Sequence, residues 1–158
     1  MGVNIASSLG INPTVEGKKA LRNLQALSEI SIEVGFHEGQ NADDGTTPLA
    51  AIAYWNHFGT VSEDGSVAIP PRPFMDALKT HEVELGAFCQ MSIQASQDAD
   101  ESARQIGAKA VGMIQTEIVD GKWTPNAPST IRKKKSDHPL IDTGRMRQEV
   151  HYVIKKGE

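Results

Sequence analysis

Cysteine is almost missing from this chain. Cys89 is the only one in 158 residues, so no disulfide can close within it. That usage fits folding in a reducing compartment. Aromatic residues make up only 5% of the sequence, so a core must be built from Ile, Leu, Val, Ala and Met. No run of about 18 apolar residues occurs, so nothing is expected to span a membrane. The segment 1–9 lacks the basic start and long apolar stretch of a secretory leader. Ala6 stands where a myristoylation signal wants Ser or Thr. The five histidines (His37, His57, His81, His138 and His151) make no HxH or HExxH spacing, and there is no CxxC. No nucleophile elbow, P-loop or GxGxxG is present either. Catalytic, metal and cofactor residues are therefore expected to be none. The histidines read as surface residues, and Cys89 as a small core residue of an amphipathic helix.

Proline, by contrast, is concentrated. Three of the eight prolines fall within Pro70–Pro73, in the stretch IPPRPFMDA. Each fixes φ near −65° and removes a backbone donor, and each disfavours helix in the residue before it. Ile69–Arg72 should be a stiff extended arm, with Pro73 as the first residue of a helix. The charge is also unevenly placed. Residues 1–121 carry 7 Lys+Arg against 16 Asp+Glu, while residues 122–158 carry 9 against 4. An acidic body with a basic C-terminal segment suggests a polar partner surface, either nucleic acid or another copy of the chain.

The length favours one domain, read as an arm over 1–12 and a single unit over 13–158. Asn12-Pro13 signals a helix to about residue 28, with Val15, Ala20, Leu21, Leu24 and Leu27 roughly on one face. Ile30, Ile32, Val34 and Phe36 alternate with polar or small residues, as in a half-buried strand. A Gly/Asp-rich loop over 37–47 precedes a helix from Pro48 to His57, stopped by Gly59. Thr60–Ile69 reads as a short hairpin about Asp64-Gly65, too short to be stable alone. One helix is predicted from Pro73 to about Ala95. A second, capped by Asp98, runs to Gly121, with Gly107 and Gly112 each weakening it by about 1 kcal/mol relative to Ala while permitting close packing. Trp123–Pro139 reads as a loop with one helical turn near Pro128. Asp142 or Thr143 can cap a short turn through Arg147. Val150, Tyr152 and Ile154 alternate in a terminal strand. The fold class is α+β: a small, mostly antiparallel sheet with a β-hairpin extension, packed against two longer helices.

The order of several segments resembles a known family. These are Ile32–Phe36 (IEVGF), Leu49–Thr60 (LAAIAYWNHFGT), Ile69–Met75 (IPPRPFM) and Pro125–Met146 (PNAPSTIRKKKSDHPLIDTGRM). Together they are similar to the neck and tail-completion proteins of tailed bacteriophages, the small virion morphogenesis proteins. That family shows a "vGf" strand, an "A…hEFG" helix, a "PPRPF" arm and a "P-L-I-D-T-G-x-L" segment. The resemblance spans residues 30–154. The chain departs from the pattern at Asn56, where the family often has an acidic residue, and at Met146, often Leu.

The resemblance implies a tail-terminator or neck-like fold and a non-enzymatic virion protein. Such a protein would form a homo-oligomeric ring, a hexamer or dodecamer, at the head–tail junction, assembled in the host bacterial cytoplasm. Its partners would be other copies, the head connector or portal-adaptor proteins, tail tube or terminator proteins, and DNA in the lumen. Ile69, Pro70, Pro71, Arg72, Pro73 and Phe74 are the expected subunit or partner interface. Arg132, Lys133, Lys134, Lys135, Arg145 and Arg147 are the expected basic residues of the DNA channel or of an interface. The alternative is a nucleic-acid-binding module using that basic segment, although it lacks the interleaved aromatics of a single-strand binder and a helix-turn-helix pattern. A small hydrolase or transferase has no motif in its favour.

Overall fold

A computed structural model describes residues 14–157. The expected arm over 1–12 and the Asn12-Pro13 cap lie outside the described residues. The elements are α1 (Val15–Leu27), β1 (Ile30–Gly35), α2 (Leu49–Phe58), β2 (Thr60–Val61), β3 (Val67–Ile69), a 3-10 turn (Phe74–Asp76), α3 (Ala77–Thr80), α4 (Glu82–Ala95), α5 (Ala99–Asp120), α6 (Pro128–Lys134), α7 (Arg145–Gln148) and β4 (His151–Lys156). The fold is α+β. β1 and β4 form one antiparallel pair, from Ile30 opposite Lys156 to Gly35 opposite His151, and β2 and β3 form a separate hairpin. No helix among the described residues is long and apolar enough to cross a membrane.

α5 is the spine of the molecule. Asp98 caps it, its Oδ1 accepting from the Glu101 N–H at 2.8 Å. Asp100 and Glu101 complement the dipole in the first turn. Its buried face passes from small residues, Ala103, Gly107 and Ala110, to large ones, Ile114 and Ile118. The small residues let the β1–β4 pair lie close. A Cβ on Gly107 would fall 2.5 Å from the Tyr152 ring, so only glycine allows this approach. The core gathers Ala53, Phe74, Ala77, Ile114, Leu140 and Val150 from five segments far apart in the chain.

Several expectations are corrected. Pro73 is not the first helical residue. With φ −77° and ψ 57° it sits in an inverse γ-turn, and the Phe74 N–H donates to the Arg72 carbonyl at 2.8 Å. The helix that follows is not continuous to Ala95. It opens as a 3-10 turn, runs through α3, and is interrupted at His81, whose φ is −109° and ψ 30°. The interruption is a kink rather than a break, because His81 N–H still donates to Ala77 and Leu85 N–H to His81.

α1 starts at Val15, with Thr14 Oγ1 accepting from the Gly17 N–H. It does not bury the expected leucine face: Leu21 and Leu24 are exposed, and Asn23 is the buried residue. The Asn23 amide donates to the carbonyls of Ile93 and Ser96, closing the C-terminal end of α4. The histidines are not all surface residues either. His57 lies edge-on to Phe74, ring centroids 5.8 Å apart, and both His57 and His138 have a buried Nδ1 without a partner.

Phe74 is fully buried at the centre of this core. Phe74→Ala should lower the unfolding free energy by about 3–5 kcal/mol, as large aromatic-to-alanine core truncations do. Urea denaturation of the variant checks this, and a wild-type midpoint would refute the placement of Phe74.

Candidate functional site

The Pro70–Pro73 arm crosses the C-terminal end of α2. It can do so because Gly59, at φ 76°, has no side chain: a Cβ there would lie 2.7 Å from the Ile69 carbonyl oxygen. The Arg72 N–H then donates to the Asn56 carbonyl at 2.8 Å. The Arg72 side chain turns inward and is 4% exposed. Its Nε and Nη2 donate to the Thr124 carbonyl at 3.3 and 3.0 Å. Nη2 also donates to Asn126 Oδ1 at 3.2 Å, and Nη1 to Asn56 Oδ1 at 3.4 Å. Every acceptor is neutral, and among the described residues no carboxylate forms an ion pair with Arg72. Burial accordingly pushes the Arg72 pKa down from its ordinary value. Asn126 extends the network, donating to the Asp137 and His138 carbonyls at 3.5 and 3.3 Å.

This clasp forms one side of a cleft of about 390 Å³. Leu49, Ile52, Ile69, Leu140 and Met146 give it apolar walls, and Arg72, Lys134 and Arg145 give it three cations. Lys134 Nζ donates to the carbonyls of His138 and Pro139 at 3.1 and 3.4 Å. Burial lowers its pKa, with Asp142 opposing and Arg72 adding to the shift. Arg145 Nη1 meets Asp43 Oδ1 at 3.1 Å, while its Nε is buried without a hydrogen-bond partner. The Thr143 hydroxyl, and then Arg145, hold the Asp43 carboxyl below the usual carboxylate range. The loop behind Asp43 is fixed by Asp44, whose Oδ1 accepts from the Thr46 and Thr47 N–H groups at 2.9 and 2.8 Å. The Thr47 hydroxyl donates to its Oδ2.

The cleft lining sets cationic side chains beside apolar walls. Thr130 and Thr143 supply hydroxyls, but no histidine or cysteine lines it. Among the described residues no group of His, Cys, Asp and Glu could hold a metal ion. Burial pushes the Cys89 thiol up, away from thiolate chemistry.

The structure divides both expected residue sets. Of the arm residues, Pro71 and Pro73 are exposed and Ile69 and Pro70 half-buried, but Arg72 and Phe74 are spent inside their own chain. As surfaces for a neighbour, those two expectations are corrected: the arginine is the centre of the clasp and the phenylalanine of the core. Of the basic residues, Lys134 and Arg145 belong to the cleft, whereas Arg132, Lys133, Lys135 and Arg147 are exposed. The run 132–135 lies mostly on α6, a helix of 7 residues rather than the single turn expected. Gly144, at φ 82°, occupies the cap position of α7, with Thr143 Oγ1 accepting from the Arg145 N–H at 3.4 Å.

Exposed apolar side chains were not anticipated from the sequence. On α2, Tyr54 is 61% and Phe58 63% exposed, their rings 4.8 Å apart. Trp55 is also exposed, and Val61 and Val67 of the adjoining hairpin are 70% and 66% exposed. A second set lies on α1 and α4: Val15, Leu21, Leu24, Val83 and Met91. The low hydrophobic periodicity of α2, apolar nearly all round, was the available signal. No family model, no curated protein and no solved structure matches the chain.

Two outcomes follow from this geometry. Arg72→Leu leaves three acceptors without their donor, Asn126 Oδ1 among them buried, and should cost on the order of 2 kcal/mol in chemical denaturation. Arg72→Lys should recover only part of it, because an ammonium cannot reproduce the fork. The Asp44 carboxyl is held down to about 2. A carboxylate with a depressed folded pKa stabilises above its unfolded value, near 3.9, and that contribution is lost as pH falls through about 2. In an NMR titration the Thr46 and Thr47 amide shifts should move with a midpoint near 2 rather than 4. Asp44→Asn should abolish the transition.

Proposed function

We propose that this chain is a structural subunit of the neck or tail-completion region of a tailed-bacteriophage virion. It would build a homo-oligomeric ring around the DNA channel and perform no enzymatic step. The observation that carries this reading is the exposure of two apolar sets on different elements, α2 with its hairpin and α1 with α4. A ring is closed by heterologous contacts between two unlike patches of one subunit, and clustered exposed apolar side chains are the kind of surface such contacts use. The motif segments that carry the family resemblance add to it. Three of the four, Leu49–Thr60, Ile69–Met75 and Pro125–Met146, meet through Arg72, Asn56 and Asn126 around one cleft.

The basic residues support a lumen in contact with DNA. Arg132, Lys133 and Lys135 are exposed and, among the described residues, have no carboxylate partner. In a ring they would face phosphates without reading sequence. A free-standing nucleic-acid-binding module is the less favoured reading, because the body of the chain is acidic.

Native mass spectrometry across a salt series, with and without purified virion necks or tails, tests the proposal. A closed hexamer or dodecamer is the expected species. A chain that stays monomeric and joins no virion assembly would overturn it. The triple variant Arg132→Glu, Lys133→Glu, Lys135→Glu should melt within about 0.5 kcal/mol of the wild type, since these are exposed positions. It should nevertheless lose DNA retention or ring formation, scored by particle infectivity. Fully infectious particles would remove the basic run from the mechanism.

A further inference from the structure

The cleft beside Arg72 is unusual in its charge balance. Three cations line it, and the carboxylates lining it are Asp43 and Asp142. Asp43 is paired with Arg145, while Arg72 and Lys134 form no ion pair with any carboxylate among the described residues. Arg72 makes four hydrogen bonds of the five its guanidinium can donate, and Lys134 two of three. Arg145 Nε is buried without a hydrogen-bond acceptor, the Glu149 carboxylate lying 3.9 Å from it. A desolvated set of donors around apolar walls is fitted to a carboxylate carried on an apolar segment.

The chain itself displays such a segment. The β2–β3 hairpin has strands of 2 and 3 residues, and every residue from Val61 to Ala68 is exposed. A two-stranded unit this short gains little stability by itself. Residues 60–71 carry two charges, Glu63 and Asp64, and no lysine or arginine before Arg72. Asp64 Oδ1 already accepts from the Ser66 N–H and hydroxyl, at 2.9 and 2.7 Å. The Glu63 carboxylate has no partner among the described residues, and Val61 and Val67 flank it as exposed apolar groups. In its own chain the hairpin base, Ala68–Pro70, forms a wall of the cleft, and Glu63 is not among the residues lining it.

We propose that the cleft seats the hairpin tip of a second copy of this chain, with Glu63 answering Arg72, Lys134 and Arg145, and Val61 and Val67 lying against the apolar walls. The proposal rests on the ring reading and gives it a contact. Because the hairpin and the cleft are different surfaces of one subunit, the association is head-to-tail, the kind that closes into a ring. Charge complementarity sets which tip enters and in which register.

The experiment uses the full chain, mixed as 14N- and 15N-labelled copies. Carbodiimide coupling joins carboxylates to amines in direct contact, and peptide mass spectrometry separates heavy–light links, which are intermolecular, from links within one chain. The expected result is a heavy–light link from Glu63 to Lys134, in preference to the exposed Lys133 and Lys135. Sedimentation velocity should show Glu63→Arg weakening association by about tenfold or more, with wild-type melting because the residue is fully outside the core. Association of Glu63→Arg at wild-type strength, together with a wild-type chain that associates without the Glu63–Lys134 link, would overturn the hairpin contact and leave the ring standing. A wild-type chain that remains monomeric, gives no such link and joins no virion assembly would overturn both.

Discussion

A guanidinium withdrawn from water is the constraint around which this molecule is arranged. Among the described residues Arg72 is buried without a counter-ion, and its charge is supported there by carbonyl and amide oxygens. Burying a charge is tolerable only when its hydrogen-bonding capacity is met. Meeting it here requires α2 to deliver Asn56, the chain after α5 to deliver Thr124 and Asn126, and two prolines to hold the arginine between them. Asn126 in turn requires the 137–138 carbonyls. Each segment is thus placed by the needs of one side chain. The apolar core lies directly behind it, through Phe74 two residues on.

The second organising feature is steric. α5 presents small residues where the β1–β4 pair approaches and large ones where the Phe74 turn does. Tyr152 settles onto Gly107, so the same strand that pairs with β1 also fills the groove of the helix. Packing of this kind leaves few ways for the sheet to shift along the helix, because a displacement of one residue would bring Tyr152 against a side chain.

Much of this architecture was legible from local pattern. The alternation in Ile30–Phe36 and Val150–Ile154 fixes two strands, Asp98 marks the start of α5, and Asp64-Gly65 marks the hairpin turn. What was not legible depends on partners distant in sequence. An arginine between prolines looks like surface until Thr124 and Asn126, more than fifty residues on, come to meet it. The apolar spacing in α1 points to its leucines, yet the carbonyls at the end of α4 needed a donor, and Asn23 supplies it. The continuous helix expected from Pro73 was set aside by a backbone choice, the γ-turn that commits the Phe74 N–H to Arg72. The cleft could not be read at all: its walls come from segments between 42 and 146, and only the cationic residues hinted at it.

The pairing of β1 with β4 has a consequence for how the chain is made. Residues 30–35 find their partner only in residues 151–156, and three of the four Arg72 side-chain hydrogen bonds await residues 124 and 126. A ribosome therefore releases the hairpin and the exposed aromatic face of α2 long before the rest of the structure can orient them. Loop closures of this length are slow to form relative to local helices. During synthesis the helices form before their frame does, because the β1–β4 pair can close only once residues 151–156 are available.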